Sequence, residues 1–165
     1  MSKYTHWFVF VIVTAVLIIL DLWLKQWVAA SIPGRGPIVL VPGFLGLTFL
    51  KNPGAAFGFL AGYEWGRIVL IIASSILMVG VVWYYSKIPK KKKNWFIRIP
   101  IILIFAGGMG NLIDRIMLGY VRDMLEFLFF RFAIFNLADV YVTVGVFSFM
   151  VFGIFVVKDI PVFNE

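Results

Sequence analysis

Four long apolar runs constrain this chain more than anything else in it. They cover about 7–27, 67–85, 95–113 and 133–157 of its 165 residues. Each is near the ~20 apolar residues a helix needs to cross ~30 Å of hydrocarbon. One water-soluble domain of this length has too little interior to hide four such runs. With 62% hydrophobic and 14% charged residues, the chain also has little polar surface to offer water. Soluble enzymes and disordered tails are excluded, and the available chemistry narrows too. The chain has no cysteine, and His6 is its one histidine. A disulfide framework, a thiolate nucleophile, a Ser-His-Asp triad and a multi-histidine metal site are therefore ruled out. Carboxylates, lysine, arginine, amides and hydroxyls remain.

Asp21 and Lys25 interrupt the first run, and three further runs follow it, so it reads as a retained helix rather than a cleaved signal peptide. Pro100, Gly107, Gly108 and Gly110 lie in the third run, where neighbouring helices can cover freed backbone and approach closely. Lys87 and the four lysines of 90–93 put five positive charges in the loop 86–94, with no acid. The connections 31–66 and 114–132 carry mixed or balanced charge. The positive-inside rule then places both termini and the lysine loop in the cytoplasm and the two longer connections outside. Trp7, Trp23, Trp27, Trp65, Trp83 and Trp95 all fall near the ends of runs, where indoles favour the headgroup region. The net charge of +7 and the pI of 9.8 come largely from that one loop, a topology signal and anionic-lipid contact, so nucleic acid binding is not expected.

The expected fold class is an all-α integral membrane protein, a single domain over 1–165 with four transmembrane helices. The apolar, β-branched stretch from Ile38 to Leu50, with Pro42, Gly43 and Gly46, predicts a small extracytoplasmic β-rich platform. Arg122 and Glu126 at i,i+4, among Val121, Met124, Leu125 and Leu128, predict a short amphipathic interfacial helix with those two charges on its solvated face.

There are only eight acids, so each position carries information. Asp21, Asp114, Asp123, Glu126 and Asp139 all map to one level near the outer surface. Ionisable groups at apolar helix ends are costly and point to function by default. Asp21 and Lys25 are spaced i,i+4 and read as a structural ion pair beside a site. Asn111, Asp114 and Arg115 share one helical face, where Asp114 with Arg115 reads either as a tie to a loop or as part of the site. Asn136 and Asp139 repeat the i,i+3 spacing, and Asp139 has no cation near it in sequence. Two readings follow: a carboxylate-pair enzyme at the outer surface, or a small ion or proton pathway. A pathway favours acids at mid-membrane depth and a repeated half. The sequence has neither, which favours the enzyme.

Asn52-Pro-Gly-Ala-Ala-Phe-Gly58, Gly107-Gly-Met-Gly-Asn-Leu-Ile-Asp-Arg115 and Phe135-Asn-Leu-Ala-Asp139, together with Asp21-Leu-Trp-Leu-Lys25, resemble the ordered motifs of the lipoprotein signal peptidases, the bacterial type II signal peptidases. The resemblance covers nearly the whole chain. It implies an intramembrane aspartic endopeptidase with Asp123 and Asp139 as the dyad, water as nucleophile, and neither metal nor cofactor. Spacing alone does not separate Asp123 from Asp114 as the partner of Asp139. By the same resemblance Asn52, Asn111, Arg115 and Asn136 hold the substrate backbone or the dyad. Gly54 and Gly107 are close-approach glycines, and Asp21, Lys25 and Asp114 support the site. The implied partner is a prolipoprotein carrying a diacylglyceryl-cysteine, met among membrane lipids by a monomer in the bacterial cytoplasmic membrane. The site then lies near the extracytoplasmic face, with the segment 120–131 as a lid over it. Two departures stand out. Val121-Arg122-Asp123-Met124 replaces the usual Val-Val-Asp-Phe, and Leu22 and Leu24 replace commoner polar residues. The arginine either biases the neighbouring acid or points to water.

Overall fold

The computed structural model describes residues 4–33, 37–55, 60, 62–63, 65–89 and 94–156. The lysine run 90–93, Glu64, Arg35, residues 56–59 with the Phe57-Gly58 end of the motif, and both chain ends lie outside these residues. Seven elements follow in order: α1 (Thr5–Ser31), β1 (Ile38–Val41), β2 (Leu45–Asn52), α2 (Gly66–Lys87), α3 (Trp95–Leu118), β3 (Val121–Phe127) and α4 (Leu137–Val156).

Helix α1 shows how the sequence chooses its buried face. His6, Phe10, Thr14, Asp21, Lys25 and Val28 are buried, and their steps of three, four and seven residues keep them on one stripe. The opposite side exposes Phe8, Val11, Ile12, Val16 and Ile19. Polar groups inside and large apolar groups outside is the arrangement expected of a helix solvated by lipid. Among the described residues three helices (α1, α2 and α3) are long and apolar enough to cross a membrane. The described apolar part of α4, Leu137–Gly153, would span about 25 Å at 1.5 Å per residue.

Helix α3 is central and packs against α1, α2 and α4. Its approach to α4 depends on small residues. A Cβ on Gly107 would collide with the Ala138 carbonyl oxygen, and one on Gly145 would sit 2.8 Å from the Pro100 carbonyl oxygen. Backbones this close exclude any side chain between them. Helix α3 ends at Gly119, whose φ of 86° and N–H to the Arg115 carbonyl form a left-handed cap. Arg67 reinforces that end by donating to the carbonyls of Arg115 and Ile116.

The strands form one antiparallel sheet in the order β1-β2-β3, as the platform expectation required for the first two. β3 is the correction. The segment expected as an amphipathic helix is a strand, paired with β2 from Asn52↔Val121 to Leu45↔Phe127. The physical reason is that residues 121–124 are buried on both faces, so the pattern that matters is alternation and not a helical stripe. Val121 and Asp123 face a cavity, while Met124 packs with Val28, Ile32 and Leu47 on the other side. Arg122, expected on a solvated face, is only 8% exposed, and Glu126 is half-buried across from Gly46.

Candidate active site

The strand β3 leads, through the bridge Leu125↔Phe135, into the start of α4. This places Asp123 and the first turn of α4 side by side. Asn136 precedes the helix and Asp139 is its third residue. The Asp139 amide donates to Asn136 Oδ1 at 2.9 Å, and the Asn136 amide donates to Asp139 Oδ2 at 3.0 Å. These two bonds are a capping box built from Asn and Asp, which satisfies orphan N–H groups at the helix start. The Asn136 side-chain amide is left to face outward from the cap. Its Nδ2 donates to Asp123 Oδ1 at 2.7 Å and to Asn111 Oδ1 at 3.1 Å. One fully buried residue therefore ties both carboxylates together, holding Asp123 with its side chain and Asp139 with its backbone amide.

The other oxygens are also held. Asn52 at the end of β2 donates to Asp123 Oδ2 at 2.9 Å, and Asn111 of α3 donates to Asp139 Oδ1 at 2.7 Å. Asn52 Oδ1 in turn accepts the Gly54 amide at 3.0 Å, which folds the 52–55 turn against the site. Arg115 donates to the Gly54 carbonyl at 3.1 Å and lies within electrostatic reach of Asp123 and Asp139. Asp123 is 2% exposed, and burial pushes its carboxyl from 3.8 up to about 6. The Asn52 and Asn136 amides and the Lys25 charge oppose that rise, and the nearby Asp139 adds to it.

Behind the amides lies a buried ion network. Lys25 Nζ, fully buried, is 2.8 Å from Asp21, 3.0 Å from Asn111 Oδ1 and 3.5 Å from Asp114. Asp21 Oδ1 accepts the Ala138 amide at 2.9 Å, so the expected ion pair also pins α1 to the start of α4. Asp114 does not pair with Arg115. It takes Arg122 instead, through Nε at 3.2 Å, a terminal nitrogen at 2.7 Å and the Arg122 backbone amide at 3.1 Å. The sequence-selected polar residues thus fall in one connected region, with Gly54 held to it by Arg115 and Gly107 at the α3–α4 contact. Asn52, Asn111, Arg115, Asp123 and Asp139 line the cavity, while Asp21, Lys25, Asp114 and Asn136 stand behind or beneath it.

That cavity holds about 560 Å³. One wall carries the two aspartates and their amides. The other is apolar, made of Phe127, Phe132, Ile134, Phe135, Val140 and Val142. Sequence reasoning missed this wall, and it also missed Gln26, which accepts from Arg122 at 2.9 Å. A run of phenylalanines at 127–135 was the available signal for the wall; nothing local marked Gln26. Among the described residues no group of three His, Asp or Glu side chains converges as a metal site.

Residues 13–155 match the family model described as signal peptidase (SPase) II. The chain belongs to the signal peptidase II family. Similar proteins include the lipoprotein signal peptidase of Streptococcus thermophilus, 44% identical over 130 residues, covering 79% of this chain and 82% of that one. Another is that of Streptococcus agalactiae, 39% identical over 140 residues, with 85% and 88% covered. A solved bacterial membrane enzyme superposes with a TM-score of 0.78 at 28% identity, covering 91% of this chain and 90% of that one. A second gives 0.74 at 29% identity, covering 91% and 93%. Signal peptidase II membership makes this chain a bacterial membrane protease of lipoprotein processing.

Proposed function

We propose that this chain is an aspartic endopeptidase that removes the signal peptide from prolipoproteins. The bond it cuts is the one before a diacylglyceryl-modified cysteine. The observation that carries the reading is a buried Asp123 and a half-buried Asp139 from different elements, joined through Asn136 at the wall of a half-apolar cavity. Two such carboxylates do not both ionise readily, so they share a proton. Burial raises the Asp123 carboxyl to about 6, which favours Asp123 as the holder of that proton. Asp139, with an N–H donor on each oxygen, takes a proton from water. The hydroxide so formed adds to the scissile carbonyl carbon while Asp123 protonates the carbonyl oxygen. The tetrahedral diol then collapses. Its C–N bond breaks as one diol hydroxyl returns its proton to Asp123 and re-forms the carbonyl, and the proton on Asp139 passes to the leaving amine of the cysteine.

Supporting roles follow from position. Asn52, Asn111 and Asn136 hold the dyad without adding charge, and Arg115 with Gly54 borders the entry of an extended substrate. The apolar wall takes the lipid-bearing side of the substrate. In this reading α4 is the fourth span, both termini lie in the cytoplasm, and the sheet end faces outward, with the lysine loop on the opposite side. The enzyme works as a monomer, without metal or cofactor. The test is mass spectrometry of a lipidated precursor incubated with purified protein. The expected product begins at the lipidated cysteine, with unlipidated precursor left intact. A product cut elsewhere, or equal cleavage of both precursors, contradicts the assignment.

A further inference from the structure

The interface of β3 with α3 and α1 carries a device that the dyad does not itself explain. Consecutive residues of a strand point to opposite faces. Asp123 faces the cavity, so Arg122 faces away from it and is not among the residues that line it. Arg122 is nearly buried and fully engaged. Two of its guanidinium nitrogens clasp Asp114, a third reaches Gln26, and its backbone amide bonds Asp114 Oδ2. The strand is therefore bolted one residue before Asp123 to both α3 and α1. Paired guanidinium and carboxylate groups fix direction as well as distance.

The same clasp has an electrostatic consequence. Asp114 competes with Asp21 and Asn111 for Lys25, at 3.5 Å against 2.8 and 3.0 Å. With Arg122 neutralising Asp114, Lys25 stays with Asp21 and Asn111, and its charge acts toward Asp123. The ionisable groups on the elements around Asp123 are Asp139 from α4, Lys25 with its partner Asp21 from α1, Arg115 and Asp114 from α3, and Arg122 itself, held by Asp114. From β2 comes the neutral Asn52, with Lys51 turned onto the Tyr120 ring at 5.1 Å. Loss of Arg122 leaves this set one positive charge poorer.

We infer that Arg122 is a positioning residue of the reaction, setting through Asp114 the placement of Asp123 and the field in which the dyad shares its proton. This rests on the dyad reading above. A more negative surrounding holds the proton more tightly, so the acid limb of the rate profile must move upward when Arg122 loses its charge.

The experiment compares Arg122→Val, Arg122→Gln and Arg122→Lys with wild type, measuring kcat, KM and pH-rate profiles on a lipidated precursor beside thermal midpoints in detergent. Arg122→Val should lower kcat about tenfold with KM changed less than about twofold, since a misplaced reacting group costs rate and not binding. Its acid limb should rise by about half a pH unit. Arg122→Gln keeps length and a hydrogen bond, so it carries the same limb shift should the valine variant not insert. Arg122→Lys should return the limb toward wild type. Wild-type kcat and limb in both neutral variants overturn the inference. So does a loss of rate that follows only the folded fraction, with the limb unmoved. Asp123→Asn is run alongside. If it cleaves normally the dyad reading itself has failed, and a dead Asp123→Asn beside unaffected Arg122 variants rejects this inference alone.

Discussion

The two ends of the helix bundle bury charge in opposite ways. At the end away from the sheet, Arg98 is 2% exposed, and among the described residues no carboxylate bonds to it. It donates to the Ile88 carbonyl at 2.7 Å and to Tyr85 at 3.5 Å, and its guanidinium lies 4.6 Å from the Tyr85 ring centre. Those carbonyls close the C-terminal end of α2, where a cation meets the negative end of the helix dipole. Tyr85 donates onward to the His6 carbonyl at 2.7 Å and packs against Phe10 and Trp7. These partners are backbone carbonyls and aromatic rings of the packed helices. At the sheet end the buried Asp123 and half-buried Asp139 are held by amides that can donate to either protonation state, and they face a cavity. A buried ion satisfied by backbone is structure. A buried acid satisfied by amides at the wall of a cavity is placed for proton transfer.

Several substitutions break or sharpen that contrast. Short of the aspartates, Asn136 has the most to lose, because it caps α4 and joins both carboxylates. Asn136→Ala should lower kcat about a hundredfold, and lose about 1 kcal/mol of stability with the cap. A stability loss without the rate loss would make Asn136 a cap only.

The pH dependence of stability comes next. The Asp123 carboxyl sits near 6 in the fold and near 3.8 when exposed, so the folded state binds the extra proton between these values. Stability is then greatest below about 4 from this group and falls as pH rises through about 6, by about 3 kcal/mol at most. Thermal midpoints measured across that window should show the fall, and Asp123→Asn should flatten it. An unchanged slope in the variant would mean another group is responsible.

The smallest effect belongs to the other end. Arg98→Met strands the Ile88 carbonyl and should cost about 2 kcal/mol, read as a lowered thermal midpoint. The kcat per folded molecule should stay at the wild-type value. A direct loss of kcat would show that the two ends are coupled.

Much of this arrangement was legible in the sequence, and the exceptions have a common cause. Apolar runs fix helices because each run is longer than any alternative element could use, so α1, α2 and α3 stood out at once. The i,i+4 spacing of Asp21 and Lys25 gave their pairing because both partners lie on one helix. Residues 121–127 misled. Their pattern fits a helix stripe locally, yet pairing with β2, some seventy residues earlier, turns alternate side chains to opposite faces. The same nonlocal pairing hid the true partner of Asp114, since nothing near Arg122 in sequence marks it as buried. The structure sets Asp114 apart from Asp123 by position: Asp114 is closed in by Arg122 and Lys25, and Asp123 alone of the two reaches the cavity wall.

The central claim is that Asp123 and Asp139 do the chemistry together. It is tested most directly by single-turnover cleavage of a lipidated precursor with Asp123→Asn and Asp139→Asn, each shown to insert and to bind the precursor. Each variant should lose about a thousandfold or more in rate while binding is retained. Cleavage near the wild-type rate by either one would contradict the dyad.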